Sequence, residues 1–236
     1  MKRGIKMQKT TIYEVRAITP DPNNMPVFFD RYVIGSIQAQ WLVYEHVYYN
    51  NFSGDGTPCN DAVKDHVIAR RDRYLGIIDW LDQYKNVRIL DVGCGRGEFL
   101  EGLKNHGYTD IKGIDIHHKS LDLASRYAPV CRLDMHFCNK LDPHDIVWAA
   151  HILQHSYDPV KLMERLWEIT GKVLYIELPV QTFGMAIRPF EGHTFFCENE
   201  DCLIGYVYNT LPYITEIANT TDGNGDILYV GMVLRK

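Results

Sequence analysis

Three glycines and three aspartates carry the first chemical signal in this chain. Gly93, Gly95 and Gly97 crowd one turn in "VRILDVGCGRGEFL" (residues 87–100), between an apolar strand-like run and an amphipathic one. Glycine-rich turns of this kind let a backbone approach a nucleotide closely. A dinucleotide fingerprint needs its third glycine three positions after the second, but Glu98 stands there. Asp91, two residues before the first glycine, disfavours pyrophosphate. It suits a ligand that is positively charged or donates hydrogen bonds, such as a sulfonium amino acid. No Lys-Ser/Thr pair follows, so a phosphate-binding P-loop is excluded.

Two further carboxylates end the next apolar runs. Asp115 closes "DIKGIDI", where an acid can accept from both hydroxyls of a ribose. Asp134 follows "VCRL", where it can accept from an exocyclic amino group of a base. Strand-end acids are common turn residues one at a time. Three at successive strand ends point to one ligand. Histidines supply candidate proton acceptors: His151 and His155 in "AAHILQHSYDP", and His193 in "EGHTFF". His151 and His155 share a face if their segment is helical. Local packing, capping or surface roles are the alternatives for all three. Three histidines could also hold a metal, but the reading adopted here is no metal site.

The elements that must position these residues alternate strand and helix from residue 87 onward. The strands are "VRILDV", "DIKGIDI", "VCRLDM", "DIVWAA" and "KVLYIELP". The helices between them include "GEFLEGLKNHG", "KSLDLASRY" and "PVKLMERLWEITG", the last opened by Pro159 and closed by Gly171. This order predicts βαβ crossovers and a parallel, doubly wound α/β sheet. "PYITEIANT" and "DILYVGMVLRK", joined by "TDGNG", predict a terminal hairpin and hence one reversed strand. Residues 61–86 read as a long helix entering the first core strand. Residues 1–60 read as an aromatic-rich extension, with Tyr32, Trp41, Tyr44, Tyr48 and Tyr49, able to act as a helical cap or lid. The division is therefore 1–60 and 61–236.

Bulk properties narrow the partners. The chain has 236 residues, 46% hydrophobic and 23% charged, with net charge −5 and pI near 6.0. That balance gives no reason to expect nucleic acid. No apolar run approaches a membrane span, and the basic N-terminus lacks a secretory apolar stretch. Among six cysteines, Cys197 and Cys202 have no second pair at zinc-ligand spacing, while Cys94 and Cys131 read as core or near-core thiols. A reduced, cytoplasmic protein is the expectation.

"LDVGCGRGEFL", "IKGIDI", "CRLDM", "DIVWAAHILQHSYDP" and "KVLYIELP" resemble the consecutive motifs of class I S-adenosylmethionine-dependent methyltransferases, over about residues 87–180. The resemblance implies a seven-stranded, mostly parallel Rossmann-like sheet with its last strand antiparallel. It implies S-adenosyl-L-methionine across the C-terminal strand ends, with Gly93, Gly95 and Gly97 at its amino-acid part, Asp115 at the ribose and Asp134 and Met135 at the adenine. Asp91, Cys94, Ile116 and Ala149 complete the implied cofactor-binding set. Arg70, Arg73 or Tyr74 could lie near the methionine carboxylate. "AAHILQHSYDP" is similar to the "E-x-x-E-H-x-x-D-P" segment of small-molecule O-methyltransferases such as those of ubiquinone biosynthesis. His155 matches the family histidine, while His151 and Gln154 replace acids that bind a metal in some members. The implied activity is methyl transfer to a small-molecule or sugar/glycan hydroxyl, with histidine as base. Protein or amine N-methylation and a non-catalytic S-adenosylmethionine-binding role are the alternatives.

Overall fold

The computed structural model describes residues 9–15, 27–28, 61–80, 86–138, 140–180, 195–197, 199–221 and 227–236. The chain runs through β1 (Lys9–Glu14), β2 (Val27–Phe28), α1 (Asp61–Trp80), β3 (Ile89–Val92), α2 (Glu98–Asn105) and β4 (Ile111–Asp115). It continues through α3 (His118–Ala124), β5 (Val130–Arg132), β6 (His144–Ala150), α4 (Pro159–Glu168) and β7 (Thr170–Pro179). It ends with β8 (Phe195–Phe196), α5 (Glu200–Thr210), β9 (Ile214–Thr221) and β10 (Ile227–Arg235).

The main sheet has the order β1-β9-β10-β7-β6-β3-β4-β5. Strands β7, β6, β3, β4 and β5 are mutually parallel. β10 lies antiparallel between β7 and β9, as the terminal hairpin requires. The sheet therefore has eight strands and not seven. The addition is β1, which pairs antiparallel with β9 at the sheet's edge. Its sequence, "KTTIYE", was read as part of an N-terminal extension, and this piece of it belongs to the sheet. Tyr32, Trp41, Tyr44, Tyr48 and Tyr49 of the expected cap lie outside the described residues. β2 and β8 form a separate two-stranded ribbon.

Apolar side chains fill both faces of the sheet. One face packs Leu90, Val147, Leu174 and Ile176 with Leu162, Leu166 and Val207 from α4 and α5. The other packs Ile89, Trp148, Val173 and Tyr175 with Tyr74, Ile77 and Ile78 from α1 and Leu100 and Leu103 from α2. Trp148 stacks on Tyr175 at 3.9 Å and on Phe99 at 4.6 Å, and Tyr74 meets it edge-on at 5.3 Å. This aromatic column fixes α1 against the strands.

Three local expectations are corrected. α4 ends at Glu168, and Gly171 lies inside β7, so the turn leading into the strand is tighter than read. Cys131 is exposed, because β5 is an edge strand; Cys94 is buried as expected. Cys197 and Cys202 are joined in a disulfide, so the six cysteines are not all thiols.

Two glycines report how closely the face under α1 is packed. A Cβ on Gly231 of β10 would overlap the Tyr175 hydroxyl, whereas one on Gly76, within α1, meets nothing within 4 Å. Gly231→Ala should therefore destabilise by about 1–3 kcal/mol through overpacking, and Gly76→Ala should stabilise by about 0.5–1 kcal/mol through helix propensity. Urea unfolding of the two variants measures both; a Gly231→Ala protein as stable as the parent would refute the packing.

Candidate functional site

In parallel sheets of this topology, sites form outside the C-terminal strand ends where the strand order reverses. Here that point lies between β3 and β6, whose successors run in opposite directions across the sheet. The glycine turn leaves β3 there. Gly93, Gly95 and Gly97 take φ values of 76°, 54° and 85°, the left-handed region that side chains resist. At Gly97 a Cβ would also meet the Ala124 Cα at 2.8 Å, so the turn can only sit this close to α3 as glycine.

Asp115 and the turn are one unit. Its Oδ2 accepts from the Gly95 N–H at 2.9 Å, and its Oδ1 accepts from the His117 N–H at 2.8 Å. Burial pushes its carboxyl up, against the pull of those backbone N–H groups. A carboxylate offers about four acceptor sites, more than these backbone N–H groups fill. Asp91 is buried at the end of β3. Cys94 turns its side chain into the core, against Gly113, where burial raises its thiol pKa. What Cys94 can offer a ligand is its backbone. The Ile116 carbonyl accepts from Arg132 Nε at 3.0 Å. Ala149 and Met135 are buried in the core on the α4 and α5 side.

Asp134 caps a short 3-10 turn, Met135–Phe137. Its Oδ1 accepts from the His136 N–H at 2.9 Å and lies 2.7 Å from His136 Nδ1. Although burial opposes ionisation of Asp134, these His136 contacts hold its carboxyl below the usual range. His136 Nε2 reaches Ser156 Oγ at 2.6 Å, and that hydroxyl accepts from the Asp158 N–H at 3.1 Å. His136, stacked on Tyr157 at 4.0 Å, thus ties the end of β5 to the segment after β6. Sequence reasoning missed His136, although its place beside Asp134 was visible.

The histidine pair behaves differently from expectation. The segment after β6 is not α-helical: His151 has φ 58°, and a 3-10 turn covers only Leu153–His155. His151 and His155 therefore do not share a helix face. His155 closes that turn. His193 lies outside the described residues. His151 is held by a residue the sequence reading passed over, Glu177 of β7. Its backbone N–H donates to the Glu177 carbonyl at 3.0 Å, and its Nε2 lies 2.9 Å from Glu177 Oε1.

Glu177 is wholly buried and so is Arg73 of α1, with side-chain exposures of 0% and 4%. Arg73 Nη2 pairs with Glu177 Oε1, the Tyr74 hydroxyl donates to the same oxygen at 3.2 Å, and the Tyr175 hydroxyl donates to Oε2 at 2.8 Å. Burial pushes the Glu177 carboxyl up, but Arg73, His151 and Tyr175 outweigh it and hold it down at about 2. Arg73 and Tyr74 are thus engaged by Glu177. The side chain of Arg70 lies outside the described residues. A lone acid inside the apolar run "YIELP" was the available signal, since a buried charge demands a partner. Among the described residues, no group of three or more His, Cys, Asp or Glu side chains could hold a metal ion.

Residues 90–172 match the family model described as "Methyltransferase domain". This stretch of the chain is similar to a methyltransferase domain. The chain is 26% identical over 139 residues to a ubiquinone biosynthesis O-methyltransferase of Coxiella burnetii, covering 54% of each chain. It is 29% identical over 99 residues to a protein of the same name from Neisseria meningitidis, covering 36% of this chain and 42% of that one. The aligned part thus spans about half the length of these curated relatives. The crystal structure of magnesium protoporphyrin IX methyltransferase from Synechocystis PCC 6803 with bound SAH has a similar fold. Its TM-score is 0.60 at 15% identity, over 84% of this chain and 94% of that one. No helix among the described residues is long and apolar enough to cross a membrane.

The Arg73–Glu177 pair has a consequence for acid stability. The Glu177 carboxyl lies below its ordinary value of 4.5, so its contribution is complete above that pH and is lost as pH falls toward 2. Urea titrations across this range should show stability falling with acid. At neutral pH, Glu177→Ala should cost about 3–5 kcal/mol by leaving a buried cation unpaired; a loss below about 1 kcal/mol would contradict the burial of the pair.

Proposed function

We propose that this chain binds S-adenosyl-L-methionine and transfers its methyl group to the hydroxyl of a small molecule, with His151 as general base. The observation that carries the reading is the placement of His151. Its ring is paired with a buried carboxylate, and its neighbour Ile152 packs on the glycine turn, where a Cβ on Gly93 would meet Ile152 Cδ1 at 3.2 Å. A proton acceptor is thus built into the wall of the donor site.

The residues present fit the donor. The left-handed glycines leave a cradle that side chains would fill, and the Asp115 carboxylate, held by the Gly95 and His117 N–H groups, stands beside it to accept from ribose. Asp134 Oδ1 is engaged by His136, which leaves Oδ2 to accept from the adenine amino group. Asp91, Ile116, Met135 and the backbone at Cys94 complete that side, and the buried Ala149 supports it from β6. When bound, S-adenosylmethionine supplies a methyl group on a sulfonium, a good leaving arrangement for in-line displacement. The remaining work is to orient the acceptor and take its proton, for which imidazole is well matched near neutral pH. His155 and His193 remain candidates for acceptor contacts. A sugar or glycan hydroxyl is one acceptor class; the named relatives, a ubiquinone biosynthesis O-methyltransferase and a magnesium protoporphyrin IX methyltransferase, widen it to other small molecules.

Calorimetry should show binding of S-adenosylmethionine and S-adenosylhomocysteine but not NAD, and weaker binding of the first two to Asp115→Ala. Tight binding of NAD alone would refute the donor. A methyl-labelled screen of phenol, sugar, glycan, amine and peptide acceptors then identifies the substrate. On it, His151→Asn should lower kcat by about 10²–10⁴-fold with donor affinity unchanged. Full turnover in that variant would remove His151 as base, and labelling of amines or peptides alone would favour N-methylation or a peptide acceptor.

A further inference from the structure

We propose that His136 is the positioning residue that makes the donor site select adenine: it fixes the Asp134 carboxylate through Oδ1, so that Oδ2 meets the C6 substituent of the base as an acceptor. This rests on the donor reading above and adds what sets the preference for adenine and which residue sets it.

The Asp134 carboxylate is held at one end. Its Oδ1 accepts from the His136 N–H at 2.9 Å and from His136 Nδ1 at 2.7 Å. Among the described residues, every hydrogen bond of this side chain falls on Oδ1. Two bonds to one oxygen, from the main chain and the ring of one residue, resist the rotation that would exchange Oδ1 with Oδ2. Any residue at 136 would supply the N–H. Only its ring adds the second bond. The Asp134 side chain is 15% exposed and that of His136 7%, so the acid borders solvent while the ring behind it is buried.

His136 is itself held on three sides. Asp134 is ionised at neutral pH, its carboxyl lying below the usual range although burial opposes this. An ionised carboxylate only accepts, so Nδ1 is the nitrogen that donates to it. The neutral ring then accepts at Nε2, where the Ser156 hydroxyl lies 2.6 Å away. Ser156 Oγ in turn accepts from the Asp158 N–H at 3.1 Å, and the Asp158 side chain caps α4 by accepting from the Lys161 N–H at 3.0 Å. Tyr157 stacks on the ring with centroids 4.0 Å apart and planes at 28°. The ring is thus anchored to the start of α4, and Asp134 is anchored to the ring.

The C6 substituent of a purine is where this anchoring matters. Adenine carries an amino group there, which donates. Hypoxanthine carries a carbonyl oxygen, with an N–H beside it at N1. A fixed carboxylate oxygen accepts from the amino group and repels the carbonyl. A carboxylate free to pivot would reach the N1–H instead and take either base. Selection therefore depends on the acid being held, and His136 holds it.

Calorimetry with S-adenosylhomocysteine and its inosine analogue, S-inosylhomocysteine, tests this. The parent should bind the adenosine form more tightly by on the order of 10–10²-fold, because the inosine form sets one acceptor against another. His136→Ala should bind the adenosine form more weakly and the inosine form no more weakly, so that the preference falls by about tenfold. His136→Asn, whose amide can still donate to Oδ1, should keep most of the preference. If it loses as much as His136→Ala, the bond to Oδ1 does not set the preference. Equal weakening of both ligands in His136→Ala, or an unchanged preference, would mean a structural role only and overturns the proposal.

Because His136→Ala risks unfolding, nitrogen-15 NMR of the unaltered, histidine-labelled protein gives an independent test. At alkaline pH the His136 signals, assigned by their loss in His136→Asn, should report the Nδ1–H tautomer. An Nε2–H tautomer overturns the proposal. The two readings fail separately. If neither ligand binds the parent, the donor reading falls and this proposal with it; if the parent binds both alike, only the role of His136 falls.

Discussion

A carboxylate cannot be left alone inside a sheet domain, and the buried charge of Glu177 organises the elements around it. Its two oxygens take donors from α1 and from β7, and His151 Nε2 of the turn after β6 lies 2.9 Å away. Satisfying them requires α1 to lie across the sheet in one register, with Arg73 and Tyr74 both facing the strand. It also requires a residue without a side chain on the neighbouring strand, which Gly231 provides. Apolar packing of Ile77, Ile78 and the Trp148 column would tolerate small slides of α1. The ion pair would not, because displacement would strand a buried charge on each side.

The turns after β3 and β5 use the same device. Asp115 clamps the Gly95 and His117 N–H groups, so a carboxylate at the end of one strand holds the turn leaving its neighbour. Asp134 holds His136, which reaches Ser156 and through it the cap of α4. Each loop of the site is thus fixed by a side chain from an adjacent strand end. Such cross-bracing limits how far the loops can drift without a ligand, and geometric drift is what a displacement reaction tolerates least.

Much of this was legible in the sequence, and the physical reason differs from part to part. Apolar runs broken by glycines and capped helices reveal β3 to β7 and the intervening helices, because burial on both faces demands near-continuous hydrophobicity. The glycine turn and the strand-end aspartates are legible by residue type, since few residues can serve there. The Arg73–Glu177 pair joins residues 104 positions apart, and local pattern does not encode which arginine meets which acid. The edge strand β1 was missed because "KTTIYE" has little apolar content to distinguish it from a loop. Helical spacing of His151 and His155 was misleading, since the chain leaves β6 through a left-handed residue before it can turn. The disulfide was hidden because Cys197 and Cys202 were weighed only as zinc ligands.

The two halves of the site meet at a contact neither half explains alone. β3, β4 and β5 present the glycine turn and its acids, while β6 and β7 present His151 and Glu177. They touch where Ile152 lies against Gly93, one residue from the paired histidine. The sheet registers keep that meeting in place: Asp91 is level with Trp148, and Ala150 is level with Glu177. A side chain at residue 93 would press on Ile152 and so on the turn that carries His151. The glycine there lets the turn after β3 and the turn after β6 close on each other, because a side chain at that position would hold them apart.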